Sequence, residues 1–337
     1  MNKHRVTIED IVNYTGYSRS TVSRVLTNKG YVDLEKRKQI LEAMETLHYI
    51  PQKSHNTSIN DMIMVIACQL YSEAQLLLVE GIVSTLEREH MKVAVVSVDF
   101  ENEMIYDYLQ YAYDKKFGGI ITLGVLDTER LHKTLKQIKC PVVMLNQVVK
   151  AINNPRVEMN NYQGGYTAAE YLLKKGHRKI AYLTGYANAE ATIDRERGFC
   201  DAMADYGIYY DDIDIIYKDF DIDSGEQFVE EIVENSMPYT AVICGSDMLS
   251  MGVSRRLKQK GINIPEDISI VGFGDSTYSQ VCTPSLTVIR YDFKGMGTAL
   301  ANQLILAVKH PLLQQEVIVF EPEMIERESV RELKSIQ

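Results

Sequence analysis

The 337-residue sequence predicts a small all-α helix-turn-helix head followed by an α/β body of two doubly wound lobes. The first fifty residues place apolar side chains at helical spacing in three short stretches. From about residue 61, short apolar runs alternate with longer amphipathic ones, and the alternation restarts after Pro155. Length agrees: a chain this long with 45% apolar residues exceeds one ordinary domain and can bury substantial cores.

In the head, Thr7 can accept from the N–H groups of a first helical turn, with Asp10 at the reciprocal position. Ile8, Ile11 and Val12 then form one apolar face. Gly16 suits the left-handed residue that closes this helix. Ser18 can cap the next, whose Val22, Val25 and Leu26 again share a face. A third helix, capped by Asp33, sets Ile40, Leu41, Met44 and Leu47 at core spacing. The second helix displays Arg19, Ser20 and Thr21 at its start and Arg24 a turn later, side chains that reach base edges or phosphates in a major groove. On spacing alone, an ordinary helical hairpin with solvated arginines fits as well. Charge tilts the choice. Residues 1–60 hold nine Lys and Arg against six Asp and Glu, net +3, which leaves −13 of the total −10 for the other 277 residues. A basic head on an acidic body suits one end approaching phosphate and the other avoiding it.

In the body, the segments 62–68, 92–98, 119–123 and 142–145 read as strands, separated by amphipathic helices such as 77–90 and 103–116. Beyond Pro155, strands at 179–184, 214–218, 241–245 and 269–273 alternate with helices at 162–175, 194–206, 224–234 and 247–260. Such βα units build parallel sheets that bind ligands at the carboxyl ends of their strands.

Several function classes find little support. The start lacks the apolar core of an export signal, and no apolar run approaches ~18 residues, so neither export nor membrane spanning is expected. Five isolated cysteines without metal-ligand spacing suit reduced thiols in a cytoplasm. Gly272-Phe273-Gly274 begins a dinucleotide fingerprint, but Thr277 stands where its third glycine belongs. Asp219, Asp221, Asp223 and Glu230 have the spacing of a calcium loop, yet Ser224 replaces the glycine of its sharp turn. No nucleophile elbow or histidine cluster suggests catalysis, and neither a cofactor nor a metal is expected.

Residues 7–26, followed by Tyr31-Val32-Asp33, Leu47-His48-Tyr49-Ile50-Pro51 and, far downstream, Pro322 to Arg327, resemble the lactose and galactose repressor (LacI/GalR) family over nearly the whole chain. The resemblance implies a helix-turn-helix domain over 1–50, a linker over 51–60 and an effector-binding, dimerising body over 61–337. The body is then periplasmic-binding-protein-like, with lobes of 61–159 plus about 290–319 and of 160–289 plus about 320–334. It crosses between lobes near Thr287 to Tyr291 and again near Phe320 or Glu321. The implied function is a cytoplasmic transcription regulator, a repressor, working as a homodimer on a pseudo-palindromic double-stranded operator. A small sugar or sugar derivative between the lobes would control it allosterically. The competing reading, a sugar-binding transport or sensor protein without operator function, would share the body but want a signal peptide and no head.

Residue by residue, the resemblance assigns DNA contacts to Thr7, Ser18, Arg19, Ser20, Thr21, Arg24, Asn28 and Tyr31. In the body, Arg195 matches the arginine of an Arg-x-x-Gly-Phe pattern, and its planar fork suits vicinal hydroxyls or a carboxylate. Asp247 follows a strand and either accepts sugar hydroxyls, caps its helix, or both. Phe220 either stacks on a ligand ring or packs in the core. Asn160 stands where the family has aspartate, which removes a charge and adds donors. Tyr71, in the loop Gln69–Ser72, and Asn146 with Gln147 either face the cleft or belong to solvated loops. The chain departs from the family at the hinge. Residues 51–60 lack the Ala-Arg-x-Leu helix whose leucine wedges into the minor groove, leaving only Ile59 as an apolar wedge. His48 also replaces the usual glycine at the end of the third helix.

Overall fold

The computed structural model describes residues 6–27, 32–47, 49, 60–99, 103–126, 128–146, 154–209, 213–311 and 317–333. Lys3, Asn28, Tyr31, His48, the linker 51–59 with Ile59, and Gln147 lie outside these. The chain divides into two units, 1–59 and 60–337.

The first unit is three helices, α1 (Ile8–Thr15), α2 (Arg19–Thr27) and α3 (Leu34–Thr46). Gly16 closes α1 at φ 72°, and its N–H donates to the Val12 carbonyl at 2.9 Å. Ser18 Oγ accepts from Thr21 N at 3.2 Å, and Asp33 Oδ1 accepts from Glu35 N at 3.1 Å, capping α2 and α3. Thr7 and Asp10 form the expected reciprocal pair: the Thr7 side chain accepts from Asp10 N, Thr7 N donates to Asp10 Oδ2 at 2.6 Å, and the threonine hydroxyl also donates to that oxygen at 2.8 Å. Ile11, Val22, Val25, Ile40, Ala43 and Tyr49 form the core, with Val12, Leu26, Leu41, Met44 and Leu47 packed around it.

The second unit runs β1 (Asn60–Cys68), α4 (Glu73–Arg88), β2 (Lys92–Val98), α5 (Met104–Asp114), β3 (Phe117–Leu123), α6 (Glu129–Leu135), β4 (Val142–Leu145) and β5 (Arg156–Met159). It continues with α7 (Asn161–Lys174), β6 (Ile180–Thr184), α8 (Glu190–Asp205), β7 (Asp214–Tyr217), α9 (Ile222–Glu234), β8 (Ala241–Cys244), α10 (Asp247–Gln259) and β9 (Ser269–Phe273). Last come α11 (Thr277–Val281), β10 (Thr287–Arg290), α12 (Phe293–Lys309), β11 (Ile318–Phe320) and β12 (Glu323–Ile325). Two six-stranded sheets result, ordered β11-β5-β4-β3-β1-β2 and β12-β10-β9-β8-β6-β7. All pairings are parallel except β10 with β12. The chain passes from the second sheet to the first after β10, so that α12 packs on α4, and returns between β11 and β12. One apolar cluster covers a face of both sheets. Separate clusters under α5 and α6, and under α9 and α10, cover the opposite faces.

Three helix pairs cross on paired glycines. A Cβ built on Gly165 of α7 would overlap the Arg195 carbonyl of α8, and one on Gly198 would overlap the Tyr162 carbonyl. Gly81 and Gly297 stand in the same relation at the α4–α12 crossing, as do Gly225 and Gly252 at α9–α10. The neighbour is backbone in each case and cannot rotate away, so helices must separate to admit a methyl group. Gly198→Ala is expected to destabilise the body by about 3 kcal/mol, which thermal unfolding of the full chain would register as a drop of several degrees. An unchanged melting temperature would mean that the two helices part at this crossing without cost.

Candidate functional site

On the first unit, Arg19, Ser20 and Arg24 are exposed along the start and outer face of α2. Ser18 Oγ lies 2.9 Å from both Ser20 Oγ and Thr21 Oγ1, a hydroxyl cluster at the helix N-terminus, where unpaired N–H groups favour phosphate oxygens. Arg19 Nη1 approaches Glu9 Oε2 at 3.4 Å. Both partners are largely exposed, so water and salt hold the pairing weak and the guanidinium is available to a stronger anion.

On the second unit, parallel strands deliver their carboxyl ends to one edge of each sheet, and the loops that follow line a cavity of about 620 Å³ between the two sheets' domains. Tyr71, after β1, and Asn146, after β4, line it from the first lobe. Arg195, Phe220 and Asp247 line it from the second. These five candidates are thus brought together, and Asn160 is not. Its Oδ1 caps α7 by accepting from Gln163 N at 3.1 Å, its Nδ2 donates to Glu321 at 2.8 Å, and it is absent from the cavity wall. The amide that replaces the family's carboxylate is committed to the lobe crossover.

Arg195 is held from three sides. Nε donates to Asn161 Oδ1 at 2.8 Å, Nη1 donates to the Gly245 carbonyl at 3.0 Å, and the guanidinium lies 4.5 Å from the centre of the Phe273 ring. A side chain so braced presents its remaining N–H groups at fixed positions. Asp247 sits in the first turn of α10, and the cap is Ser246, whose Oγ accepts from Leu249 N at 3.2 Å. The N-cap reading of Asp247 is therefore corrected: the extended backbone is at Ser246, and the carboxylate is turned toward the cavity. Oδ1 accepts from Ser279 Oγ at 2.9 Å, and Gly274, at φ 97°, leaves the room that a Cβ would take from it. Burial raises the Asp247 carboxyl to about 6, against the lowering pull of hydrogen bonds from Ser279 and Ser276.

Phe220 meets Tyr186 edge to face, ring centres 6.1 Å apart. Asn146, at φ 59°, accepts from Met159 N through Oδ1 at 2.7 Å, a loop brace as well as a wall. Among the described residues, contacts that bridge the lobes across the cleft include Gln69 Nε2 to Tyr186 OH at 3.4 Å, and Glu73 accepting from Thr277 N and Oγ1 at 3.0–3.1 Å. On the crossover side a second cavity of about 470 Å³ shares Glu73, Asp247 and Tyr291 with the first. Beneath it Asp275, nearly buried, pairs with Arg327 at 2.5 Å. Glu73, Gln75, Asn188 and Glu190 also line the main cavity and were missed in the sequence. Apolar periodicity starts helices late: α4 begins at Glu73 rather than 77 and α8 at Glu190 rather than 194. The polar first turns that face the cleft carry no periodic signal. The four acidic residues with calcium-loop spacing also separate. Asp221 caps α9 by accepting from Ser224 N at 2.7 Å, while Glu230 pairs with Lys260 at 2.7 Å on α10.

A helix-turn-helix unit followed in the chain by two parallel α/β lobes around a cleft defines a ligand-responsive transcription regulator. The chain belongs to the LacI family of bacterial regulatory proteins: the model of that family matches residues 7–52, and that of the periplasmic binding protein-like domain matches 169–330. The HTH-type transcriptional repressor PurR of Vibrio atlanticus is 27% identical over 334 residues, covering 97% of this chain and 99% of the relative. A LacI family regulator from Enterococcus faecium, solved with bound ribose, is similar with a TM-score of 0.75 and 25% identity, over 81% of this chain and all of that one. The regulator CelR in complex with cellobiose has the same fold, with a TM-score of 0.74 and 24% identity over 96% of this chain and all of that one. Among the described residues, no helix is long and apolar enough to cross a membrane.

Proposed function

We propose that the protein is a cytoplasmic repressor whose affinity for a double-stranded operator is set by a sugar or sugar derivative in the cleft. The observation that carries this reading is the convergence of Tyr71, Asn146, Arg195, Phe220 and Asp247 on one cavity from separate loops. An aromatic ring, a braced guanidinium and a buried carboxylate are what a ring of hydroxyls needs: apolar surface for its C–H face, and donors and acceptors in fixed pairs around its edge. Ribose and cellobiose in two similar structures support the ligand class. Asn160 acts through its bond to Glu321, transmitting lobe rearrangement where the chain crosses over. The lobes divide as 61–159 with about 290–319 and 160–289 with about 320–334.

Two heads of a homodimer read a pseudo-palindromic site through α2. Arg19, Ser20 and Arg24 contact bases and phosphates, with Thr7, Ser18, Thr21, Asn28 and Tyr31 around them. Ligand binding changes the geometry between lobes and so the spacing of the two heads, a coupling that linkage makes reciprocal. Retardation of genomic fragments at stated salt, with and without a sugar panel, tests the whole reading: no retention at low salt would sink it. Arg19→Ala is expected to weaken the selected site by about tenfold or more and to relax preference at one base position, read by site selection from random DNA. Unaltered preference would remove Arg19 from the base-reading set.

A further inference from the structure

We infer that the cleft ligand carries a positive charge and is an amino sugar, recognised through a carboxylate-lined, aromatic mouth that disfavours anionic sugars. The inference rests on the sugar-binding reading above and deepens it.

The charge balance of the cavity wall is the first observation. Among the described residues that line it, Glu73, Glu190 and Asp247 face a single cation, Arg195. Two of that guanidinium's five N–H groups are taken by Asn161 and Gly245, and the three that remain are the only cationic donors among the described lining residues, against three carboxylates. The crossover cavity that continues the wall adds Asp275, Asp292, Glu321 and Glu323 against Arg290 and Lys294. Helix N-termini also converge here, but each contributes only about half a positive charge, less than the full negative charge of one first-turn carboxylate. At α4, α8 and α10 these carboxylates, Glu73, Glu190 and Asp247, outweigh the dipoles they sit on.

The mouth of the cleft is the second. The strands β2 and β7 end at the sheet edges opposite the crossovers, and Asp99 and Asp219 follow those ends directly or within two residues. Gln69 N donates to the Val98 carbonyl, which sets the loop of Tyr71 beside the end of β2. In keeping with that placement, burial first and then the charges of Asp221, Asp99 and Asp219 raise the Tyr71 phenol. Phe220, between Asp219 and Asp221 in the chain, lines the same cavity. Rings beside carboxylates form a pocket for an ammonium group, which gains from both the ring faces and the charges.

The test is calorimetric titration of the full-length protein with matched sets built on several hexoses: the neutral sugar, its 2-amino-2-deoxy form, the N-acetylated amine, and the uronic acid. One amino sugar is expected to bind at least tenfold tighter than its neutral parent. N-acetylation should remove the gain, and added salt should shrink it. Asp219→Asn combined with Asp99→Asn is expected to cost the amine at least tenfold more affinity than it costs the neutral parent. A neutral or acidic member that binds as tightly as its amine, and whose binding Arg195→Ala abolishes, overturns the charge assignment and leaves the sugar cleft standing. No saturable binding by any member up to about 10 mM overturns both.

Discussion

Arg195→Ala is expected to weaken effector binding by roughly 100-fold and to leave the protein unresponsive, while its ligand-free affinity for operator stays within about threefold of the parent. The size follows from what the side chain does. A guanidinium aimed into a cavity can donate two charge-assisted bonds to neighbouring hydroxyls, each worth about 1.5–3 kcal/mol when desolvated. The direction of the stability change is also fixed. Asn161 is buried, and its Oδ1 accepts from Arg195 Nε, so truncation strands an acceptor and lowers the melting temperature modestly as well. Arg195→Lys separates the two effects. It keeps the charge but cannot hold Asn161, the Gly245 carbonyl and the ligand at once, so it should lose nearly as much affinity as alanine. The measurement is ligand titration by calorimetry beside operator retardation with and without ligand. A full response from Arg195→Ala would move the effector site away from this cleft.

Much of this site was legible in the sequence, and what was not has common physical causes. Strands announce themselves because both faces of a parallel sheet are buried, so β3, β4, β8 and β9 are short apolar runs wherever one looks. Arg195, Phe220 and Asp247 came from the motif resemblance, since each sits beside such a strand or in the helix after it. Glu73 and Glu190 were hidden because first helical turns that face a cleft are polar and show no period. β5, β11 and β12 were hidden because each is short and only partly buried, so neither an unbroken apolar run nor a long enough alternation registers, whereas the equally short β4 and β8 are apolar throughout. The paired glycines of the helix crossings were visible as residues but carried no meaning until their partners were placed. Gly165 and Gly198 are 33 positions apart in the chain, and only packing relates them. Asn160 shows the converse: a motif position invites a ligand role that the local geometry gives to a helix cap and to Glu321.

Asp247→Asn is expected to move stability and function in opposite directions. The carboxyl titrates near 6 in the folded protein against 3.8 for the free group, because burial disfavours its charge. Between those values the folded state holds a proton that the unfolded chain has released. Stability therefore falls as pH rises through that window, and the loss is complete above about 6. Two pKa units correspond to about 3 kcal/mol, part of which the bond from Ser279 already offsets within the shifted value. Asparagine has the same shape and no charge. At pH 7.5 the ligand-free variant should therefore melt several degrees above the parent, with the two curves converging near pH 4. Effector affinity should fall by about tenfold or more, because a carboxylate accepts hydroxyl donors better than an amide does. In the parent, affinity should weaken as pH drops below about 6, since protonation removes the acceptor before the ligand arrives. Thermal unfolding across pH, beside calorimetric titration at pH 5 and 7.5, gives both readouts. Had Asp247 been a mere helix cap, its replacement would cost stability at neutral pH. Ser246 has that task, which leaves an ionised carboxylate buried against its own preference, facing the space a ligand would fill.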